Sequence, residues 1–283
     1  MNRRVALGAF GAAVLGLFCQ CNRSEPSPTR PASASAVASA PALPKRALVV
    51  FAAASLREAF GSLGSAFQAA HPGTTVTFHF AGSQELRTQI EHGAKADMFA
   101  SADQRHMQAL RDAHSVEAAR IFAQNEPVVA VSQEGSAKIS AFSDLPKAAR
   151  IVIGAPEVPI GRYTLQILDR AEKKLGVSFR SAVEARVVSR ELNVRQVLAK
   201  VSLGEAEAGI VYRSDVPSAR GAVSLVAIPR ELNVIAEYPI APVVACAEPE
   251  LAREFIALVL SPDGQSALKK AGFSVNAGAA VSP

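Results

Sequence analysis

The sequence predicts an α/β protein with mostly parallel strands, built around two cores rather than one. From residue 47 onward, short apolar runs alternate with amphipathic segments of ten to sixteen residues, which is the pattern of strands joined by helices. About half of the 283 residues are apolar, so the chain can bury a substantial core. Two cores fit the predicted elements better than one.

A change of hydrophobic period marks the first two strand–helix units. ALVVFAAA predicts a buried strand, and the helical face that follows it ends at His71-Pro72-Gly73. TVTFHF alternates as a second strand and leads through AGS into the helix QELRTQIEHG, where Gly93 occupies the usual C-terminal stop. The first helical face consists of Leu56, Ala59, Phe60, Leu63, Phe67 and Ala70.

The remaining elements continue this alternation. ADMFASAD predicts a third strand and turn, and PVVAVS predicts a fourth strand. RIVIGAPEVPIGRYTLQILDRAEKKLG predicts a strand, a loop and a long helix that Gly176 closes. Strand, helix and strand follow in ARVVSRELNVRQVLAKVSLG and EAGIVYRSD, then a strand in YPIAPVVACAE. The last helical segment, PELAREFIALVLSPDGQSALKKAGF, is predicted to break near Ser261.

The N-terminal segment is expected to direct export. In residues 1–21, MNRR supplies a positive stretch and VALGAFGAAVLGLF an apolar run of about fourteen residues, which is short for a membrane span. Residues 22–46 are rich in Ser, Pro and Ala and predict a tether. Cys19 and Cys21 directly follow the apolar run, so lipid anchoring at one of them is favoured over cleavage and release.

The charge distribution argues against nucleic-acid binding. The net charge is +5, but residues 1–46 hold six basic residues and one acidic residue, which leaves 24 basic and 24 acidic residues for the body. A nucleic-acid-binding domain concentrates positive charge on one face, and no basic stripe is evident in this neutral body. We therefore expect no nucleic-acid partner.

Two serines lie where a predicted strand passes into a predicted helix. Ser55 begins the S-x-x-E pattern of a capping box with Glu58, and Ser83 follows Gly82. Each helix start also offers unpaired N–H groups and partial positive charge, the usual arrangement for holding an anion. From the pattern alone, Ser55 has two possible roles: to cap the helix or to bind a ligand.

The motifs of common enzymes do not occur in the sequence. FAGSQE lacks the G-x-S-x-G of an α/β-hydrolase, and no phosphate-binding G-x-x-x-x-G-K-[ST] occurs. The histidines lack metal-ligand spacing, and the body holds a single cysteine, so no metal site is expected. Packing or surface roles are predicted for the histidines: His71, His79, His92, His106 and His114.

Several ordered motifs closely resemble the molybdate-binding receptors of bacterial ABC transporters. They include AAASL, G-A-x-A-D-x-F-x-S-A-D in GAKADMFASAD, G-I-V-Y-x-S-D in GIVYRSD, and EYPIAPVV, and the likeness spans about residues 48–275. The resemblance implies a two-domain type II periplasmic-binding-protein fold with the ligand cleft between the domains. It places the first domain at 47–127 plus 238–283 and the second at 128–237.

The resemblance also implies the binding residues. Ser55 of AAAS and Ser83 after FAG would each offer a hydroxyl and an N–H group, Ile160 and Val194 would each contribute a backbone N–H, and Tyr212 would supply a phenolic hydroxyl. Ile160 replaces the small residue that is often found at this position. The change is tolerated because the backbone N–H, not the side chain, would bind the ligand. In this family no direct protein–metal bond forms, because the ligand oxygens of molybdate accept the hydrogen bonds.

The implied function is an exported, non-enzymatic receptor, without a cofactor, that binds molybdate or tungstate as a monomer and delivers it to an ABC permease. A donor-only site suits a fully deprotonated dianion, whereas hydrogen phosphate carries a proton that needs an acceptor. Arg162, Arg195 and Arg213 adjoin the motifs and would add long-range attraction without direct contact. Two alternatives stay open: an oxyanion sensor not coupled to transport, and a receptor for another tetrahedral oxyanion such as sulfate.

Overall fold

Residues 46–275 are described by a computed structural model, in which ten strands form two five-stranded sheets. The first sheet has the strand order β2-β1-β3-β10-β4, and the second has the order β7-β6-β8-β5-β9. The strands are β1 (Arg46–Ala53), β2 (Thr74–Ala81), β3 (Met98–Ala100), β4 (Arg120–Asn125), β5 (Pro127–Ser132), β6 (Ile151–Gly154), β7 (Val187–Glu191), β8 (Ala208–Tyr212), β9 (Val223–Ala227) and β10 (Ala236–Pro242).

Eight α-helices and four short 3-10 helices connect these strands within the described range. No helix between residues 46 and 275 is long and apolar enough to span a membrane. The α-helices are α1 (Arg57–Ala70), α2 (Ser83–Glu91), α3 (Gln104–Asp112), α4 (Pro159–Leu175), α5 (Phe179–Glu184), α6 (Val194–Ser202), α7 (Pro249–Leu260) and α8 (Pro262–Lys270). The 3-10 helices are Ala54–Leu56, Gly135–Ala137, Phe142–Lys147 and Arg213–Ala219.

The two sheets share one layout, and only half of their strand pairs are parallel. β1 pairs in parallel with β2 and β3, and β6 with β7 and β8, whereas β10 and β5 are antiparallel to both of their neighbours. The expectation of mostly parallel strands is therefore wrong. It fails because β5 and β10 each enter a sheet directly after the chain has crossed from the other sheet, so neither closes a strand–helix–strand unit.

The chain crosses between the sheets twice, at Glu126 and through residues 228–235. The segments 47–127 with 238–283 and 128–237 stay a prediction about folding units, because sheet membership alone does not define an independently folding domain. The expected signal at 1–21, with Cys19 and Cys21, lies outside the described residues, as do positions 276–283. Of the expected tether, only Arg46 is described, and it begins β1 rather than ending a linker.

Most predicted elements are present, and four strands or α-helices were missed. α4 ends at Leu175 and is followed by Gly176, whose φ of +112° suits glycine, and Ser261 separates α7 from α8 as expected. The unpredicted strands and α-helices are β4, β9, α3 and the short helix α5. β4 is half polar and lies at the edge of its sheet, and its sequence RIFAQN lacks a long apolar run.

Aromatic packing fixes α1 against the first sheet. Phe60 and Phe67 of α1 are buried, and their rings lie 5.8 and 5.3 Å from the ring of Phe255 on α7. The ring of Phe122, on β4, lies 5.6 Å from that of Phe60. Such edge-on and tilted ring pairs add about 0.5–1.5 kcal/mol each beyond burial. The packing therefore holds α1 in a fixed direction and places its first turn at the end of β1.

Candidate functional site

Four helix beginnings meet around one small cavity between the two sheets. The cavity is small, with a volume of about 10 Å³, which leaves no room for a sugar or a peptide. All five residues that the sequence predicts for the site line this cavity. The lining residues are Ala53, Ala54, Ser55, Ala81, Gly82, Ser83, Ala102, Val158, Pro159, Ile160, Asn193, Val194 and Tyr212.

Ser55 lies in the 3-10 turn that precedes α1, and it does not cap the helix. Its hydroxyl oxygen lies 2.9 Å from the hydroxyl oxygen of Tyr238, and neither the turn nor α1 has a side-chain cap at its N-terminus. Glu58 does not return to the turn either, because its carboxylate accepts from Arg195 of α6. The predicted capping box is therefore wrong, since both of its side chains bond to residues far away in the sequence.

Ser83 is the first residue of α2 and also faces the cavity. The backbone N–H of Ala102, after β3, donates to its hydroxyl oxygen at 3.0 Å. Gly82 allows this turn to approach the opposite wall, because a Cβ atom there would lie 2.4 Å from the carbonyl oxygen of Leu192. Ser83 is thus held between the ends of two β-strands. A larger residue at Gly82 would push this turn away from the opposite wall of the cavity.

Ile160 and Val194 lie in the first turns of α4 and α6. The first N–H groups of a helix have no partner within the helix, and α4 has neither a side-chain cap at Val158 nor an N–H at Pro159. The side chain of Asn193 caps α6 by accepting from the N–H groups of the two residues after Val194. This arrangement leaves the Val194 N–H as the donor beside the cavity, and the Ile160 side chain is buried.

Tyr212 ends β8 and is 1% exposed, with its hydroxyl among the polar groups of the described chain that have no hydrogen-bond partner. Burial raises the pKa of this hydroxyl well above its ordinary value, so it stays a proton donor. A fully buried phenol with no partner is costly, by about 1–3 kcal/mol. The Tyr212 hydroxyl is therefore available to a ligand.

The arginines near the site motifs are paired with carboxylates and do not line the cavity. Arg162 contacts Asp103 at 3.2 Å, across the cavity from α4 to the start of α3. Arg195 joins Glu58 on the opposite wall and also lies 3.2 Å from the buried Asp215. The third, Arg213, pairs with Glu126 at a sheet crossing, at 2.9 Å.

Two further hydrogen bonds cross the cavity beside these ion pairs. The amide of Gln84 on α2 donates to the carbonyl oxygen of Leu192 at 2.7 Å. The Nε2 atom of His106, a buried side chain on α3, lies 2.9 Å from the carbonyl oxygen of Glu157. Burial lowers the pKa of His106, which favours the neutral ring that donates to this carbonyl. The two walls are therefore joined on both flanks of the cavity.

Sequence reasoning missed the residues that support the site from behind. Tyr238 and Asn125 lie at the sheet crossings, and Asp103 begins α3 by accepting from the His106 N–H at 3.0 Å. Asn193 carried a detectable signal, since an asparagine before a helical period predicts an N-cap. Tyr238 carried none, because its partner Ser55 is 183 positions away.

The cavity offers donors but no site for a bare metal ion. None of its lining residues is a carboxylate, histidine or cysteine. Within residues 46–275, no cluster of three or more such side chains is placed to hold a metal. The chemistry of the lining suits an anion whose oxygens accept hydrogen bonds.

Comparisons with known proteins agree with this geometry. The family model for bacterial extracellular solute-binding proteins matches residues 48–274. The molybdate-binding protein ModA of Mycobacterium tuberculosis is 39% identical over 242 residues, covering 84% of this chain and 89% of that protein.

Two solved structures show the same fold at low sequence identity. The periplasmic molybdate-binding protein of Azotobacter vinelandii has a TM-score of 0.72 at 21% identity, over 81% of this chain and 99% of that one. The sulfate-binding protein SubI of Mycobacterium tuberculosis has a TM-score of 0.74 at 17% identity, over 83% and 88%. The predicted two-domain binding-protein fold is confirmed, and the chain belongs to the bacterial extracellular solute-binding protein family.

Proposed function

We propose that this protein is an extracytoplasmic receptor that binds molybdate, and also tungstate, and delivers it to an ABC permease. The observation that carries the proposal is a cavity lined by hydroxyl and N–H donors with no carboxylate. A tetrahedral dianion without protons can accept at every oxygen, so it satisfies such a lining completely. The name of the 39%-identical relative supports molybdate as the ligand.

The proposed contacts are the hydroxyls of Ser55, Ser83 and Tyr212 and the N–H groups of Ile160 and Val194. They come from both walls of the cavity, so a bound anion contacts all five only when the walls are close together. Binding then shifts the population toward the closed form, which is the form that a permease would recognise. No catalytic step and no cofactor are needed.

Export and attachment complete the proposal. Family membership supports action outside the cytoplasm, and the apolar segment in residues 1–21 would direct export. Lipid attachment at Cys19 or Cys21, with residues 22–46 as a tether, would keep a monomeric receptor near its permease. Mass spectrometry of the membrane fraction, compared between Cys19→Ser and Cys21→Ser, tests the anchor and identifies the cysteine.

Thermal unfolding with molybdate, tungstate, sulfate and phosphate tests the ligand. A ligand at about a hundred times its dissociation constant adds about 2.7 kcal/mol to the free energy of unfolding. Molybdate and tungstate are expected to raise the melting temperature strongly and sulfate weakly. Ser55→Ala combined with Tyr212→Phe is expected to abolish the shift. If only a different solute stabilises the protein, the assignment of molybdate as the ligand is wrong. If the melting temperature of the double variant still rises fully with molybdate, the assignment of Ser55 and Tyr212 as binding residues is wrong.

A further inference from the structure

We propose that Asn125 and Tyr238 are positioning residues that fix the direction of the Ser55 hydroxyl, so that it donates into the cavity. The inference rests on the proposed function and deepens it. It identifies what makes the site reject anions that carry a proton. Neither residue lines the cavity, so both act through Ser55.

The direction of the hydrogen bonds begins at Asn125. Its Oδ1 atom accepts from the backbone N–H of Glu126 at 3.0 Å, which assigns the other end of the amide as the NH₂ group. That group donates to Ser214 at 2.7 Å and lies 3.5 Å from the hydroxyl oxygen of Tyr238. An amide NH₂ only donates, so Tyr238 cannot give its proton to Asn125.

Tyr238 must therefore donate to Ser55. Tyr238 is 0% exposed, and Ser55 Oγ, at 2.9 Å, is the one acceptor that the described chain offers its hydroxyl. The opposite direction would leave a fully buried phenolic proton without an acceptor, which is the unfavourable case. Once Ser55 accepts from Tyr238, its own proton has no acceptor in the described part of the chain and points to the cavity.

Ser83 repeats this logic with a backbone donor. The N–H of Ala102 can only donate, so Ser83 Oγ accepts it and keeps its proton for the cavity. Two serines are thus fixed as donors from behind, beside the unpartnered hydroxyl of Tyr212. An anion with a proton would have to turn one of these hydroxyls round and leave a buried donor unpaired. The relay from Asn125 to Ser55 thus favours sulfate over hydrogen phosphate, two dianions of similar size.

A double-mutant cycle tests whether Tyr238 acts through Ser55. Tyr238→Phe keeps the ring in its packing and removes the donor, and we expect the molybdate Kd to rise roughly 5- to 10-fold by calorimetry. In a Ser55→Ala background the same change is expected to alter the Kd less than about twofold. If the fold-changes in Kd of the two single variants multiply in the double variant, Tyr238 does not act through Ser55 and the proposal is overturned. Ser132→Ala removes a buried hydroxyl outside the cavity lining, one that accepts from the Gly135 N–H at 3.1 Å, and is the control, expected to stay within about twofold.

Asn125→Asp tests the direction itself. A carboxylate at this position gives Tyr238 an acceptor, so Tyr238 turns, Ser55 donates to it, and a lone pair of Ser55 faces the cavity. The ratio of the Kd for hydrogen phosphate to the Kd for sulfate, obtained by displacement of molybdate, is expected to fall at least about tenfold. The added charge acts equally on both dianions and cancels in the ratio. Asn125 acts by offering Tyr238 no acceptor, and alanine offers none either, so in Asn125→Ala Tyr238 still donates to Ser55 and the ratio is expected to stay within about twofold of the wild-type ratio.

The outcomes separate the relay from the proposed function. If the wild-type protein binds none of the four anions, the proposed function fails and the relay falls with it. If the wild-type protein binds molybdate but Asn125→Asp gives the same ratio as Asn125→Ala, only the relay fails. An Asn125→Asp protein that does not fold leaves the decision to the Tyr238 cycle, which uses a substitution of nearly the same shape.

Discussion

Replacing Arg162 with glutamine is expected to weaken molybdate binding by destabilising the closed cavity. Arg162 lies two positions after Ile160 on α4, and its guanidinium reaches across to Asp103, 3.2 Å away at the start of α3. Asp103 is 0% exposed, whereas the arginine side chain is 27% exposed. Without the arginine, the closed form buries a carboxylate that has no cationic partner.

The size of the effect follows from this unequal burial. Breaking a fully buried pair costs about 3–5 kcal/mol, and an exposed pair contributes about 0.2–1 kcal/mol. Asp103 keeps its hydrogen bond from the His106 N–H at 3.0 Å, and the exposed side of Arg162 admits water. We therefore expect a loss of roughly 1–2 kcal/mol, which raises the Kd about 5- to 30-fold. The ligand-free melting temperature is expected to change little, because an open cleft hydrates Asp103.

Calorimetry of Arg162→Gln against Arg253→Gln tests this reasoning. Arg253 pairs with Glu117 at 3.3 Å, on the exposed surface of α7, so its removal changes the net charge equally without touching the cavity. The Arg162 effect is expected to persist at high salt, since its partner is buried, while long-range attraction is screened. A Kd for Arg162→Gln within about twofold of that for Arg253→Gln would refute the contribution of this ion pair to closure.

Three further results are expected. Burial raises the pKa of Asp215 from 3.8 to about 7, so its contribution to the free energy of unfolding is full in acid and is lost as the pH rises to about 7. In denaturant titrations, Asp215→Asn should reduce the fall of the free energy of unfolding between about pH 4 and pH 7. An unchanged pH dependence would contradict this role of Asp215. In Gly161→Ala the new Cβ would lie 2.0 Å from the carbonyl oxygen of Ala155. This clash should lower the free energy of unfolding by roughly 2–4 kcal/mol and abolish the thermal stabilisation by anions. Gly61→Ala, whose Cβ would have no atom within 4 Å, is the control. Molybdate affinity should change less than about threefold between low and physiological salt, because the arginines nearest the cavity are already paired; a steep salt dependence in calorimetry would show that unpaired charge attracts the anion.

The amino-acid pattern predicted local elements well and failed where the partner is distant. Apolar runs and helix stops located β1, β2, α1 and α4, because each is set by neighbouring residues. The antiparallel direction of β5 and β10 was not predictable, since it depends on where the chain crosses between sheets. β9 was missed because a strand of five residues, two of them exposed and only one buried, carries little periodic signal.

The candidate site shows the same limit at single residues. All five predicted residues line one cavity, because the motifs place them at strand ends and at the first turns of helices. The capping box at Ser55 obeyed a local rule, but Tyr238 and Arg195 lie 183 and 137 positions from Ser55 and Glu58. A helix-capping hydrogen bond of Ser55 would stabilise the fold by about 1 kcal/mol. The hydrogen bond from Tyr238 to Ser55 is more favourable, because without it the buried phenolic O–H would have no acceptor. The sequence around Ser55 does not indicate which of these two hydrogen bonds forms.

The arrangement of charge explains how a neutral body can hold a dianion. Each arginine beside the cavity is matched by a carboxylate, Arg162 by Asp103 and Arg195 by Glu58, so these pairs join the walls and add little net charge. The positive potential instead comes from four helix N-termini and from O–H and N–H dipoles aimed at one point. The backbone fixes the direction of the N–H dipoles, and the Ser55 and Ser83 hydroxyls are held from behind by Tyr238 and by the Ala102 N–H. Donor geometry, rather than net charge, therefore determines which anion the cavity accepts.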